Sequence, residues 1–152
     1  MSESPPNVAR MDEFLPDWSE RRLVVLDSSH RWAPAVSAEV NAILERNSAF
    51  SGRKPVFESC ETPREALLLC EARNTIGAVL FVSGMERECL SILGRMARWP
   101  TRPALLAVCT DEHRDLMPML MESGIDAVLF NVTNDIAIAE WCSHLLVLQC
   151  SQ

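Results

Sequence analysis

The chain has 152 residues, 48% of them apolar, and carries a net charge of −7; it suits one compact domain that buries roughly 70% of the surface its unfolded form exposes. Excess negative charge repels phosphate backbones and anionic lipid, and the fourteen Lys and Arg are scattered, so nucleic acid is not an expected partner. No run reaches the roughly 18 apolar residues of a membrane span, and "MSESPPNVARMDEF" lacks the apolar middle of a signal peptide, so a cytoplasmic protein with no membrane partner is expected.

Residues 1–20 hold Pro5, Pro6 and Pro16 among mixed charges and read as a flexible N-terminal arm, with Phe14, Leu15 and Trp18 as the groups that could dock it. Residues 21–152 form the domain proper, in which five short apolar runs alternate with segments of helical period. "LVVLD" at 23–27 precedes a helix from about Ala33 to Asn47, with Pro34 in its first turn and Val36, Val40, Ile43 and Leu44 facing inward. "PVFES" at 55–59 precedes "TPREALLLCEAR", where Thr62, Pro63 and Glu65 spell a capping box. "AVLFV" at 78–82 leads to a helix near 86–98 that offers Cys89, Leu93 and Met96 to a core. "ALLAVCT" at 104–110 leads to a helix expected from about Asp115, since Pro118 is tolerated only in a first turn, and Gly124 closes it. "AVLFN" at 127–131 leads to a last helix from about Asn134 to Gln149.

Strands that run as unbroken Val, Leu, Ala and Phe are expected where helices cover both faces of a parallel sheet. Right-handed crossovers then favour a five-stranded α/β fold of flavodoxin-like order 2-1-3-4-5. In that order the loops after strands one, three, four and five meet at the carboxyl edge, making Asp27, Ser83, Thr110 and Asn131 neighbours.

With these elements in place, "RRLVVLDSS", "GAVLFVSGME", "RPALLAVCTDE" and "ESGIDAVLFNV" resemble, in order and spacing, the functional strand ends of the receiver domains of bacterial two-component response regulators, over about residues 21–149. The resemblance implies a domain that takes a phosphoryl group onto an aspartate after strand three, beside Mg²⁺ held by an acidic pair after strand one. A hydroxyl residue after strand four and a lysine after strand five would read that group. Carried across, Asp27 matches the second acid and Thr110 the hydroxyl, but Leu26 stands at the first acid, Ser83 at the acceptor and Asn131 at the lysine. Val128 takes the place of an aromatic switch residue, and the chain has no tyrosine.

An acyl phosphate needs a carboxylate nucleophile beside a divalent cation, and a serine hydroxyl supplies neither anion nor metal ligand. The four positions therefore read as a vestigial phosphorylation pocket with no catalytic residue, no metal and no cofactor. Other chemistries find little support. Ser83 with His113 lacks a G-x-S-x-G frame and a residue to orient the base. The five glycines form neither a dinucleotide motif nor a P-loop. Thr110 with the amides near Ser83 and Gly84 could hold an anion. The alternative reading, a small-ligand or FMN-binding module, rests on "DSSHRW" at 27–32, two serines and an aromatic after the first strand.

Six cysteines, Cys60, Cys70, Cys89, Cys109, Cys142 and Cys150, form no C-x-x-C and read as reduced small hydrophobes. The last helix places Ile138, Trp141, Cys142, Leu145 and Leu148 on one stripe and leaves Ile136, Ala139, Leu146 and Val147 beyond it. A helix covering a sheet needs only about a 100° apolar stripe, so a second buried face is expected. The fourth helix, rich in methionine, has a similar excess. Met117, Leu120, Met121, Trp141 and Leu145 are accordingly expected to form an interaction face for a protein partner or a homodimer. The leading expectation is a degenerate receiver-like signalling domain, not an enzyme, acting by protein contact.

Overall fold

The computed structural model describes residues 20–47, 50 and 54–151. All but the last residue of the expected 1–20 arm lies outside them. The described elements are β1 (Arg22–Leu26), α1 (Trp32–Arg46), β2 (Val56–Cys60), α2 (Pro63–Cys70), β3 (Thr75–Phe81) and α3 (Glu86–Met96), then β4 (Ala104–Cys109), a 3₁₀ segment (Asp111–Leu116), α4 (Met117–Glu122), β5 (Ala127–Phe130) and α5 (Ile136–Ser151). The strands form one parallel sheet in the order β2-β1-β3-β4-β5, as the apolar runs require.

Alternation along the strands divides the core in two. Val24, Leu26, Ala78, Leu80, Leu105 and Ala107 face a layer that includes Ala66, Leu67, Leu93, Met96 and Leu120 from α2, α3 and α4. Leu23, Val25, Val79, Leu106 and Val108 face Val36, Val40, Ile138, Cys142 and Leu146 from α1 and α5. Both faces are covered, and for that reason the central strands carry no polar alternation.

Local sequence explains how the elements start and stop. At α2 the Thr62 hydroxyl accepts the Glu65 amide at 3.2 Å, and the Glu65 carboxylate accepts the Thr62 amide at 3.2 Å, the reciprocal box expected from the sequence. At the end of α4, Gly124 adopts φ +87°. Its amide donates to the Met121 carbonyl and that of Ile125 to the Leu120 carbonyl, a Schellman closure that a β-carbon would strain.

Two expectations need correction. The fourth helix does not begin near Asp115: a 3₁₀ segment occupies Asp111–Leu116, and α-geometry starts only at Met117, so that Pro118 falls in the first turn. The inward face of α5 is also rotated. Ile138, Ala139, Cys142 and Leu146 are fully buried, Trp141 and Leu145 only partly, and Leu148 is 47% exposed. The physical reason is that α5 packs against α1 as well as the sheet, so its second buried face belongs to this fold's own interior. Trp141 and Leu145 approach β3 closely at Gly77, where an added β-carbon would lie 2.7 Å from Leu145 Cδ2 and 2.9 Å from Leu23 Cδ2.

Candidate functional site at the carboxyl edge

The sheet register brings three of the four expected site residues to one level. Phe81 pairs with Val108 and Cys109 with Phe130, so Ser83, Thr110 and Asn131 follow at matching positions. Asp27 follows Leu26, the partner of Leu80, and therefore stands level with Phe81, two residues below Ser83. Leu26 is fully buried, and Val82, the last residue before Ser83, is 1% exposed. Neither Leu26, at the end of β1, nor Val82 and Ser83, after β3, supplies a carboxylate.

Asp27 is held by its own loop. One carboxylate oxygen accepts the Ser29 amide at 3.1 Å and the Ser29 hydroxyl at 2.9 Å. The other accepts the amides of Arg31 and Trp32 at 3.0 and 3.1 Å. The anion thus sits at the amino end of α1, where orphan N–H groups favour it. Burial of this 6% exposed side chain pushes its pKa up, but the bonds from Trp32, Ser29 and Arg31 outweigh burial and hold it below the usual 3.8. His30 follows in the left-handed region at φ 57°, which lets the loop fold back over the carboxylate. Within "DSSHRW", the Ser29 hydroxyl and the amides of Ser29, Arg31 and Trp32 are engaged by Asp27.

Across the edge, Asn131 adopts φ 54°, a conformation Asn tolerates well, and its amide oxygen accepts the Asp111 amide at 3.2 Å. That contact caps the 3₁₀ segment after β4, a local structural role in place of a cation. Thr110 and Ser83 are exposed.

A second buried polar group at this edge is His113, which the sequence offered only as a base for Ser83. His113 is 2% exposed. Its Nδ1 accepts the Thr110 amide at 3.0 Å, which leaves the proton on Nε2, and Nε2 lies 2.8 Å from the Glu86 carboxylate. Glu86 also accepts the Gly84 amide at 3.1 Å. Its own backbone amide, then His113 and Gly84, hold its carboxyl below the usual range. The pair fastens the loop after β3 to the segment after β4. With both ring nitrogens engaged, His113 does not serve Ser83 as a base. The Thr110–His113 half had a visible signal in its capping-box spacing, whereas Glu86 is 27 residues away and had none.

These residues do not fit a divalent cation of the receiver kind. One acid position holds Leu26, the acceptor position Ser83, and the Asp27 oxygens are already saturated with donors. Among the described residues no three His, Cys, Asp or Glu side chains come together in a metal-binding group.

On the expected interaction face, Met121 is 60% exposed and Met117 half-buried, while Met119, part of the same methionine-rich helix, is also exposed. Leu120 is fully buried against β4 and α3 residues and cannot contribute to an outer face, which corrects that expectation. Trp141 and Leu145 are half-buried, turned toward Gly77.

No family model matches the chain, and no curated protein sequence does so either. Solved structures do. A chemotaxis response regulator of Vibrio cholerae superposes with a TM-score of 0.62 at 13% identity, covering 84% of this chain and 100% of that one. A response regulator from Colwellia psychrerythraea gives 0.59 at 13% identity, covering 88% and 100%. The signal receiver domain of a histidine kinase from Syntrophus aciditrophicus gives 0.58 at 14% identity, covering 83% and 89%. At such identities the likeness is one of fold: the chain has the receiver fold of response regulators.

Proposed function

We propose that the chain is a receiver-like signalling module that acts by binding a protein, without aspartyl phosphorylation, catalysis or a cofactor, in the cytoplasm. The observation that carries this reading is the state of Asp27: the acid matched to the phosphorylation pocket is closed onto the amino end of α1 by four donor groups, and no carboxylate stands at the end of β3. In support, no described helix is long and apolar enough to cross a membrane. The contact surface would be α4 with the start of α5, where Met119, Met121 and Ile136 are 48%, 60% and 49% exposed. Methionine side chains adapt to varied partner surfaces, and a second copy of the chain is one such partner.

The test is direct. After incubation with acetyl phosphate and Mg²⁺, the intact mass is expected to stay unchanged. Beryllofluoride with Mg²⁺ is expected to leave tryptophan emission unaltered, although Trp32, stacked on Phe81 at 5.1 Å, is placed to report any change at this edge. A phosphoryl mass gain or a saturable emission change would sink the proposal. For the contact surface, Met121→Asp is expected to reduce capture of a partner, or the dimer fraction in light scattering, while leaving the melting curve in place.

A further inference from the structure

At the opposite, amino edge of the sheet an open pocket of about 420 Å³ is lined by Ile76, Arg102, Pro103, Ala104, Asp126 and Leu145. Its size is that of ordinary small-ligand sites, about 300–1,000 Å³, and its lining is more polar than apolar. The charged groups stand side by side. Arg102 Nη1 donates to Asp126 Oδ2 at 2.9 Å and to the Pro103 carbonyl at 3.0 Å, and Nη2 donates to the Gly124 carbonyl. Asp126 is fixed in turn, since its Oδ2 also accepts the Leu105 amide at 2.7 Å and its own amide donates to the Leu105 carbonyl at 2.9 Å.

These bonds exhaust neither group. Three N–H groups of the guanidinium are used, which leaves Nε–H and one Nη2–H without a partner among the described residues. Asp126 Oδ1 has none there either. The side chains of Arg102 and Asp126 are 24% and 42% exposed, which keeps both open to a solute. An anion alone would meet the Asp126 carboxylate, and a cation alone the Arg102 guanidinium. A solute carrying both charges escapes either repulsion. In an α-amino acid the ammonium and the carboxylate sit on one carbon, which matches a cation and an anion already in contact. Each bond it makes is charge-assisted, which a neutral amide does not offer. Ile76 and Leu145 give an apolar wall for an aliphatic side chain. Both charged groups are held by β4 and by the closure of α4 before any ligand arrives, so little ordering cost falls on binding.

We propose that this pocket binds a free α-amino acid with an aliphatic side chain, its carboxylate on the unused Arg102 N–H groups and its ammonium on Asp126 Oδ1. The site is separate from the α4 surface proposed above, and each stands without the other.

The experiment uses the full ¹⁵N-labelled chain with L-valine as the probe and follows the Arg102 Nε–H resonance, identified by its loss in Arg102→Lys. Valine is expected to shift it saturably. N-acetylvaline and valinamide each lack one of the two charges and should bind at least about tenfold more weakly, the loss of one charge-assisted bond. Asp126→Asn keeps an oxygen for the Leu105 amide but turns the free acceptor into a donor, and the affinity for valine should fall by about tenfold or more. No saturable shift with valine, an equal response to N-acetylvaline, valinamide or inorganic phosphate, or an equal shift at exposed Arg87 would each overturn the proposal. Undiminished affinity in folded Asp126→Asn overturns it equally; if that variant does not fold, the ligand series on the native chain decides.

Discussion

At the scale of single residues, Asp27 and His113 are polar groups at the carboxyl edge whose partners lie within the fold. The Asp27 carboxylate completes the first turn of α1, so Asp27→Asn is expected to cost about 1–2 kcal/mol, as lost N-terminal caps do, read from urea denaturation at neutral pH. Its pH dependence has a definite sign. Because the folded pKa lies below the unfolded value near 3.8, the contribution is complete above that value and is lost as pH falls through the lower folded one. The wild-type protein should therefore lose stability in that acid range more steeply than Asp27→Asn. His113→Leu would leave the Thr110 amide and the Glu86 carboxylate without their partner. A loss of about 1–3 kcal/mol is expected. Asp27 was legible from its place after the first strand, but its role was not, since the donors that saturate it come from the backbone of a turn that residue types alone do not define.

At the scale of elements, agreement between sequence and structure follows the range of the interactions. The capping box of α2 and the glycine closure of α4 are short-range patterns and were readable. Thr62→Ala is expected to cost about 1 kcal/mol, and Gly124→Ala about as much through the left-handed backbone it must adopt, both as shifts in urea midpoint with unchanged slope. The orientation of α5 was not readable, because its composition is apolar around most of its circumference and the choice between Leu146 and Leu148 depends on where α1 lies. The pair Leu120 and Met121 makes a sharp comparison. Leu120→Ala should cost about 2–5 kcal/mol as a core truncation, whereas Met121→Ala should stay within about 0.5 kcal/mol. Equal effects on stability would contradict the burial described for α4.

For the whole molecule, the two-layered core explains the cysteines. Cys60, Cys70, Cys89, Cys109 and Cys142 are free and buried, and burial pushes the thiols of Cys60, Cys70, Cys89 and Cys142 up to about 12. A thiol in that state presents almost no thiolate near neutral pH. Native protein treated with a thiol-reactive chromogen should release signal from at most one cysteine per chain, Cys150 lying outside the described side chains, and from six after denaturation. Rapid reaction of several thiols in the native state would mean that the core opens readily. The two ends of the sheet also differ in kind. The carboxyl edge holds an acid and a histidine already paired within the fold, and the amino edge holds an open pocket and, among the described residues, a buried donor, Arg22 Nε, without a hydrogen-bond partner.

What the amino-acid sequence determined without help was the architecture. Five unbroken apolar runs separated by helical segments admit few arrangements, and crossover handedness selects the observed strand order, because burial on both faces and chain chirality act on every unit alike. It also determined the missing carboxylates, since no packing can supply an anion that Ser83 and Leu26 lack. Only the tertiary structure decided which face of α5 is inside, that His113 is bound to Glu86, and that Leu120 belongs to the core. Each of those depends on two segments far apart in the chain arriving at one place, and no local period or spacing encodes that encounter.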